Sequence, residues 1–129
     1  MHKQMDNKVI PVLRIFDYEK AKEFYIDWLG FSVDWEHTFE ANSPLYLQIS
    51  RGHITLHLSE HHGDASPGAK VFIEFNNIAT YHHDLTSKNY KFGKPGLEKA
   101  PWNAICMEVI DPFGNKLLFS ERQPNESNT

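Results

Sequence analysis

Two stretches of this chain carry the same punctuation at the same spacing. A largely apolar run, Val9 to Ile15, leads to Asp17, which reads as the N-cap of a helix from Tyr18 to Leu29. Further along, Val71 to Phe75 leads to Asn77, the cap of a second helix on which Ile78, Tyr81, His82 and Leu85 share one face. Gly52 and Gly114 then mark the last tight hairpin of each stretch. This is an internal repeat of roughly sixty residues. A unit that small buries little surface alone, so the two must share a core, and 129 residues suit a single domain.

The remaining elements fill in the repeat. Glycine at position 30 supplies a left-handed helix stop, and Phe31 to Trp35, Leu45 to Ile49 and Ile54 to Leu58 read as strands. Pro11 lacks an amide donor, which places the first strand at a sheet edge or at a bend. The polar stretch from Glu60 to Gly68 is a surface loop. In the second unit Asn89 stands where a helix-ending glycine is usual, and Asn tolerates that conformation better than most residues. Phe92 is expected to open a short strand, followed by strands at Ala104 to Ile110 and Lys116 to Ser120 and a solvated tail from Gln123. The fold class is therefore α+β, with two βαβββ repeats forming a curved half-open barrel, helices outside and a cleft inside. One domain spans residues 1–129: repeat one covers about 8–59, a linker 60–69, and repeat two about 70–121.

Composition narrows the function classes. Thirteen Lys and Arg against seventeen Asp and Glu give a formal charge of -4, which does not draw the surface toward a polyanion, so nucleic acid is not expected as a partner. The apolar runs are short and the first residues polar, so neither a membrane span nor a secretory signal is expected, and the cytoplasm is the expected location. Cys106 is the only cysteine, which excludes an intrachain disulfide and any zinc site built on several thiolates. Between Ile105 and Met107 it reads as a small buried strand residue.

With the repeat in place, Val9-Ile10-Pro11-Val12-Leu13, Phe24-Tyr25, Leu29-Gly30-Phe31, Pro101-Trp102 and Asp111-Pro112-Phe113-Gly114-Asn115 together resemble the vicinal oxygen chelate superfamily, also called the glyoxalase and bleomycin resistance protein superfamily. The resemblance runs from about Val9 to Glu121 and comes nearest to the bleomycin resistance proteins, small binders that sequester a drug without turning it over.

The resemblance implies where a metal would sit if this were one of the superfamily's metalloenzymes. Ligands come from the first and last strands of each repeat. Seven residues before the caps stand Ile10 and Lys70, and four after the hairpin glycines stand Leu56 and Leu118. Aliphatic side chains offer no lone pair, and a lysine must lose its proton to coordinate. Shifting by one residue to Pro11, Val12, Val71, Thr55 or Leu117 supplies no better set. No metal and no other cofactor is expected. The eight histidines include His53 with His57, His61 with His62 and His82 with His83, but neighbours on a strand or helix point apart, and His53 and His57 are about 13 Å apart along an extended chain.

A metal-free cleft holds its ligand by apolar contact, stacking and charge. In the resistance proteins a flat part of the drug lies between aromatic rings of two subunits, with carboxylates near its cationic tail. By this resemblance Trp35 and Trp102 are the stacking residues, Phe39 lies near a further aromatic position, and Asp34 matches an acidic one. Glu36, Glu40, Glu60 and Asp64 add negative potential at the rim, and the loop carrying His61 and Asp64 borders the cleft. Lys70 has the wrong charge for a cationic drug and favours an anionic or carbonyl-bearing ligand. Pro11 would act as a hinge for an N-terminal strand exchanged across a homodimer, with clefts at the interface. The expected function is thus that of a metal-independent antibiotic resistance protein, with no catalytic residues, that sequesters a planar, cationic bleomycin-type drug in a cleft at the dimer interface. The alternative is a glyoxalase- or lyase-like enzyme acting on a small metabolite through a displaced metal site.

Overall fold

The computed structural model describes residues 6–38, 40–41, 43–90 and 93–124. Repeat one contributes β1 (Val12–Arg14), α1 (Tyr18–Lys22), β2 (Ser32–His37), β3 (Tyr46–Arg51) and β4 (Ile54–Ser59). Repeat two contributes β5 (Lys70–Glu74), α2 (Ile78–Ser87), β6 (Glu98–Ala100), β7 (Ala104–Ile110) and β8 (Lys116–Arg122). Each repeat forms its own four-stranded sheet, in the orders β1-β4-β3-β2 and β5-β8-β7-β6. The first strand pairs in parallel with the last in both sheets, and the other pairings are antiparallel. The two βαβββ halves are present as expected, and the sheets are not closed into a barrel. Among the described residues no helix is long and apolar enough to cross a membrane.

Alternation along the strands divides each sheet into two faces. Leu13, Leu47, Ile49, Leu56 and Leu58 of one sheet and Ile73, Met107, Val109, Leu117 and Phe119 of the other are buried in one continuous core with Phe24, Tyr25, Trp28, Tyr81 and Leu85 from the helical segments. The open faces carry Tyr46, Gln48, Ser50 and His57 on one sheet, and Phe72, Glu74, Leu118 and Ser120 on the other. Hydrogen bonds between the repeats lock the core. Tyr81 Oη donates to the Leu29 carbonyl at 2.6 Å, Trp28 Nε1 to the Leu85 carbonyl at 3.0 Å, and Tyr25 Oη to Asp111 at 2.7 Å.

Several local expectations need correction. The first strand shrinks to three residues, because Pro11 has no amide to pair and Val9 stands 92% exposed. Its edge position is as Pro11 required. The first helix does not run on regularly: from Glu23 to Trp28 it widens into a π-helical segment, which the Leu29 amide closes on the Phe24 carbonyl at 2.9 Å. The wider turn brings Phe24, Tyr25, Trp28 and Leu29 all into the core. Asp17 caps α1 through the Lys20 amide, but Asn77 is left-handed (φ 64°) and its side chain caps nothing. Glu121 of β8 accepts from the Asn77 and Ile78 amides instead. The strand expected near Phe92, a residue outside those described, is found at Glu98–Ala100.

Candidate functional site

The open face of each sheet carries a depression. In repeat one it is lined by Trp35, His37, Tyr46, His61 and Asp64 and has a volume of about 430 Å³. In repeat two Phe72, Glu74, Trp102, Ser120 and Arg122 are among the residues lining one of about 340 Å³. Trp35 and Trp102, expected to stack on one ligand, therefore lie in separate depressions of the chain, 43% and 54% exposed.

An irregularity in β2 builds the first depression. Val33 pairs with Ile49 and Trp35 with Gln48, so Asp34 is an extra residue bulged out of the register. Without the bulge Trp35 would fall opposite Leu47, on the core-facing side. With it, the consecutive residues Asp34 and Trp35 both reach the open face. The Trp35 ring lies within 11° of parallel to Tyr46, with centroids 6.0 Å apart, and meets the His57 ring edge-on at 5.3 Å. Past the bulge alternation resumes, and Glu36 pairs with Leu47 and accepts a hydrogen bond from the Tyr18 hydroxyl rather than entering the depression.

Hydrogen bonds order the polar groups behind these rings. Tyr46 Oη lies 2.7 Å from His57 Nδ1, and His57 Nε2 lies 2.9 Å from Gln48 Oε1. Gln48 Nε2 donates to Asp34 Oδ2 at 3.0 Å, and Ser50 Oγ donates to Asp34 Oδ1 at 2.9 Å. Both oxygens of Asp34 are thus engaged by side chains of β3. Ser59 Oγ donates to Asp64 Oδ2 at 2.6 Å, which ties the loop to β4. His61 packs 6.4 Å from the Tyr46 ring, and Glu60 accepts from the Leu45 amide at 2.9 Å. Burial, then the nearby Asp64 charge, raises the Tyr46 pKa above its ordinary value, while burial and then the Lys8 charge lower that of His57. At neutral pH the pair is a phenol beside a neutral imidazole. Phe39 lies outside the described residues.

In the second depression Phe72 and Trp102 lie 6.4 Å apart, and Trp102 Nε1 donates to Ser120 Oγ at 3.4 Å. Cys106 pairs with Ser120 and is buried as expected, although its strand position puts it on the open-face side rather than in the main core. Lys70, the feature at odds with a cationic ligand, forms an ion pair with Glu108 at 3.2 Å, so its charge is matched locally.

The structure corrects one step in the metal count. Val12 and Phe72 each stand five residues before their helix caps, and they pair with His57 and Leu118. The β4 position equivalent to Leu118 is therefore His57 and not Leu56, whose side chain is buried in the core. The β3–β4 turn places Gly52 one residue earlier in the register than Gly114. The corrected set is Ile10, His57, Lys70 and Leu118. One imidazole, with both nitrogens in hydrogen bonds, does not fit a metal site of this kind. Among the described residues no three His, Cys, Asp or Glu side chains are grouped to hold a metal ion.

Tyr46, Gln48 and His57, and in repeat two Phe72, Ser120 and Arg122, were not singled out from the sequence as site residues. The signal was available in the alternation of Tyr46-x-Gln48-x-Ser50 with Leu47 and Ile49, and of Thr55-x-His57-x-Ser59 with Leu56 and Leu58.

Comparison with known folds agrees with this geometry. A bleomycin-binding protein complexed with bleomycin superposes with a TM-score of 0.71 at 18% identity, over 92% of this chain and 100% of that one. A bleomycin resistance determinant encoded on the transposon Tn5 gives 0.72 at 18% identity, over 92% and 100%. An antibiotic binding protein from a Streptomyces species gives 0.64 at 18% identity, over 93% and 100%. No protein of curated function matches in sequence. A family model described as glyoxalase superfamily protein matches residues 2–126. The chain belongs to the glyoxalase superfamily, and its fold is close to that of the bleomycin resistance proteins.

Proposed function

We propose that this protein is a metal-independent binder that sequesters a planar, cationic, bleomycin-type drug in the cytoplasm. Two copies would pair so that the first depression of one faces the second depression of the other, with Trp35 and Trp102 on opposite sides of the ligand. Asp64 and His61 would border it, and Asp34 would contribute its charge from behind the rings. The observation that carries this reading is the exposure of three large rings on two open half-sites: Trp35 at 43%, Phe72 at 53% and Trp102 at 54%. Indole faces left in water cost hydrophobic free energy that a flat ligand and a second copy would recover. In this arrangement Pro11 would be the hinge for exchange of the N-terminal strand, which in the single chain pairs with its own β4.

The test is a tryptophan fluorescence titration of chelator-treated protein with bleomycin, confirmed by calorimetry, on the wild type and on Trp35→Ala and Trp102→Ala. Saturable quenching at one drug per subunit, lost in both variants, with a dimer in sedimentation equilibrium, supports the reading. A stable monomer at micromolar concentration overturns the interface cleft, and no binding at tens of micromolar overturns the drug. A tightly bound transition metal at one per subunit in freshly purified protein would favour the enzyme alternative.

A further inference from the structure

The donors and acceptors behind the first depression fix one another's roles. A carboxylate only accepts, so Asp34 obliges Gln48 to present its NH₂ group, at 3.0 Å. The amide oxygen of Gln48 then faces His57 Nε2, at 2.9 Å, and Nε2 must carry the proton. A neutral imidazole protonated at Nε2 has a bare lone pair at Nδ1, and that atom lies 2.7 Å from Tyr46 Oη. The Tyr46 hydroxyl therefore donates to His57. Its hydrogen is committed behind the ring, and only its lone pairs remain for a ligand.

This fixes the chemical character of the depression. Tyr46 lines it, with Trp35, His37, His61 and Asp64, while His57, Gln48 and Asp34 stand behind. Ligand therefore meets an aromatic face, a phenolic oxygen that accepts but does not donate, and the Asp64 carboxylate. The opposite tautomer, with its proton on Nδ1, would turn the Tyr46 hydrogen toward the ligand and suit an acceptor. Ser50, which donates to the other oxygen of Asp34 at 2.9 Å, holds the carboxylate in place.

We propose that Asp34 acts as a positioning residue whose charge, relayed through Gln48 and His57, makes Tyr46 a hydrogen-bond acceptor, so that the first depression selects planar cations bearing N–H donors. This deepens the binding function proposed above and rests on it only in placing a ligand in this depression. Tyr46 is the residue that touches the ligand. A flat amidinium or a protonated amino-heteroaromatic meets the requirement. A carboxylate of the same shape fails on charge, and a quaternary ammonium fails on hydrogen bonding.

Two measurements test this on the whole protein. Long-range ¹⁵N–¹H correlation spectra at neutral pH read the His57 tautomer in the wild type, in Asp34→Ala and in Gln48→Leu. Titrations followed by Trp35 fluorescence and by amide shifts at Asp64 then compare benzamidinium, benzoate and phenyltrimethylammonium. The expected result is His57 protonated at Nε2, benzamidinium bound at least tenfold more tightly than benzoate and several-fold more tightly than phenyltrimethylammonium, and the second preference reduced in Tyr46→Phe to what the Asp64 carboxylate alone supplies. That variant keeps the stacking ring, and its circular dichroism reports that it has folded. In Asp34→Ala the tautomer should become mixed, a change that loss of a nearby charge would not produce alone. An Nδ1-protonated His57 in the wild type, equal binding of benzoate, no saturable benzamidinium binding, or an intact preference in Tyr46→Phe each overturns the proposal. Benzamidinium selectivity without bleomycin binding would remove the drug reading and leave this one, and the reverse result would remove this one and leave the drug.

Discussion

The side-chain amide of Asn115 donates a 2.8 Å hydrogen bond to the main-chain carbonyl of Arg14, 101 residues away in sequence. Asn115 is fully buried. Its Nδ2 also donates to Asp111 Oδ2 at 2.8 Å, and its Oδ1 accepts from the Ala69 amide at 3.2 Å. One side chain thus joins the first strand of repeat one, the entrance to β5 and the turn before β8. Asp111 anchors the cluster, because it also receives the Tyr25 hydroxyl and the Phe113 and Asn115 amides. The Asp-Pro-x-Gly-Asn stretch is accordingly the clasp between the repeats.

Replacing Asn115 by alanine should leave the Arg14 carbonyl and the Ala69 amide without their partner inside the protein. Both groups are only part-buried, so each costs toward the lower end of about 1–3 kcal/mol, and a loss of about 2 kcal/mol is expected in urea denaturation. Asn115→Asp should be worse, since it sets a second carboxylate against Asp111. A change below about 0.5 kcal/mol for the alanine variant would show that the clasp is not needed.

Gly93 packs flat against the Trp28 indole, where an added β-carbon would come within 2.5 Å of the ring. The ring has little freedom to retreat: it is buried, its Nε1 is bonded to the Leu85 carbonyl, and it stacks on Tyr90 with centroids 5.0 Å apart. Gly93→Ala should therefore destabilise by about 1–3 kcal/mol, the usual range for overpacking, and should shift the Trp28 emission. Gly96→Ala, with open space around its β-carbon, is the matched control and should be nearly neutral.

How much of this was legible in the chain differs between the fold and the site. Asp17, Gly30, Gly52, Asn89 and Gly114 act locally, through capping or a positive φ, and each is found where its chemistry required. Asn77 could not be read this way, because its helix is capped by Glu121, 44 residues on, and no local pattern announces that partner. The same holds for the site. The family resemblance points to Trp35, but the bulge at Asp34 that turns it outward depends on pairing with β3. His57 does not share a metal with His53, four residues before it in the chain, and its partners, Tyr46 and Gln48, lie on the adjacent strand.

Glu121 offers a test of that non-local cap. The Asn77 and Ile78 amides hold its carboxyl below the ordinary value, with burial opposing weakly. A carboxyl depressed in the folded state stabilises above its unfolded pKa, and that stabilisation is lost as pH falls through the folded value. Glu121→Gln should thus lower stability near pH 7 by no more than about 1 kcal/mol, given its exposure, and the difference from wild type should close toward pH 3. Parallel urea curves at the two pH values measure it, and a gap that persists unchanged in acid would assign the effect to something other than charge.

His57 should leave the opposite kind of trace in the middle of the pH scale. Burial first, and the Lys8 charge second, push its pKa below 6.5 in the folded protein. Between that lowered value and 6.5 the unfolded chain binds more protons than the folded one, so stability contributed by neutral His57 is present above 6.5 and declines as the pH falls through this window. The groups acting on the ring are Tyr46 and Gln48 through hydrogen bonds, Trp35 and Tyr46 through ring contacts, and Lys8, which donates to Thr55 one strand step along the same face. Protonation would place a hydrogen on Nδ1 and force the Tyr46 hydroxyl to turn away from it. NMR titration should therefore show His57 titrating below a free histidine peptide, with Tyr46 ring signals moving at the same midpoint. In Lys8→Ala the midpoint should rise but stay below the peptide value, because burial is the larger cause. A His57 that titrates above the peptide would mean that the imidazolium, not the neutral ring, is the form this face holds.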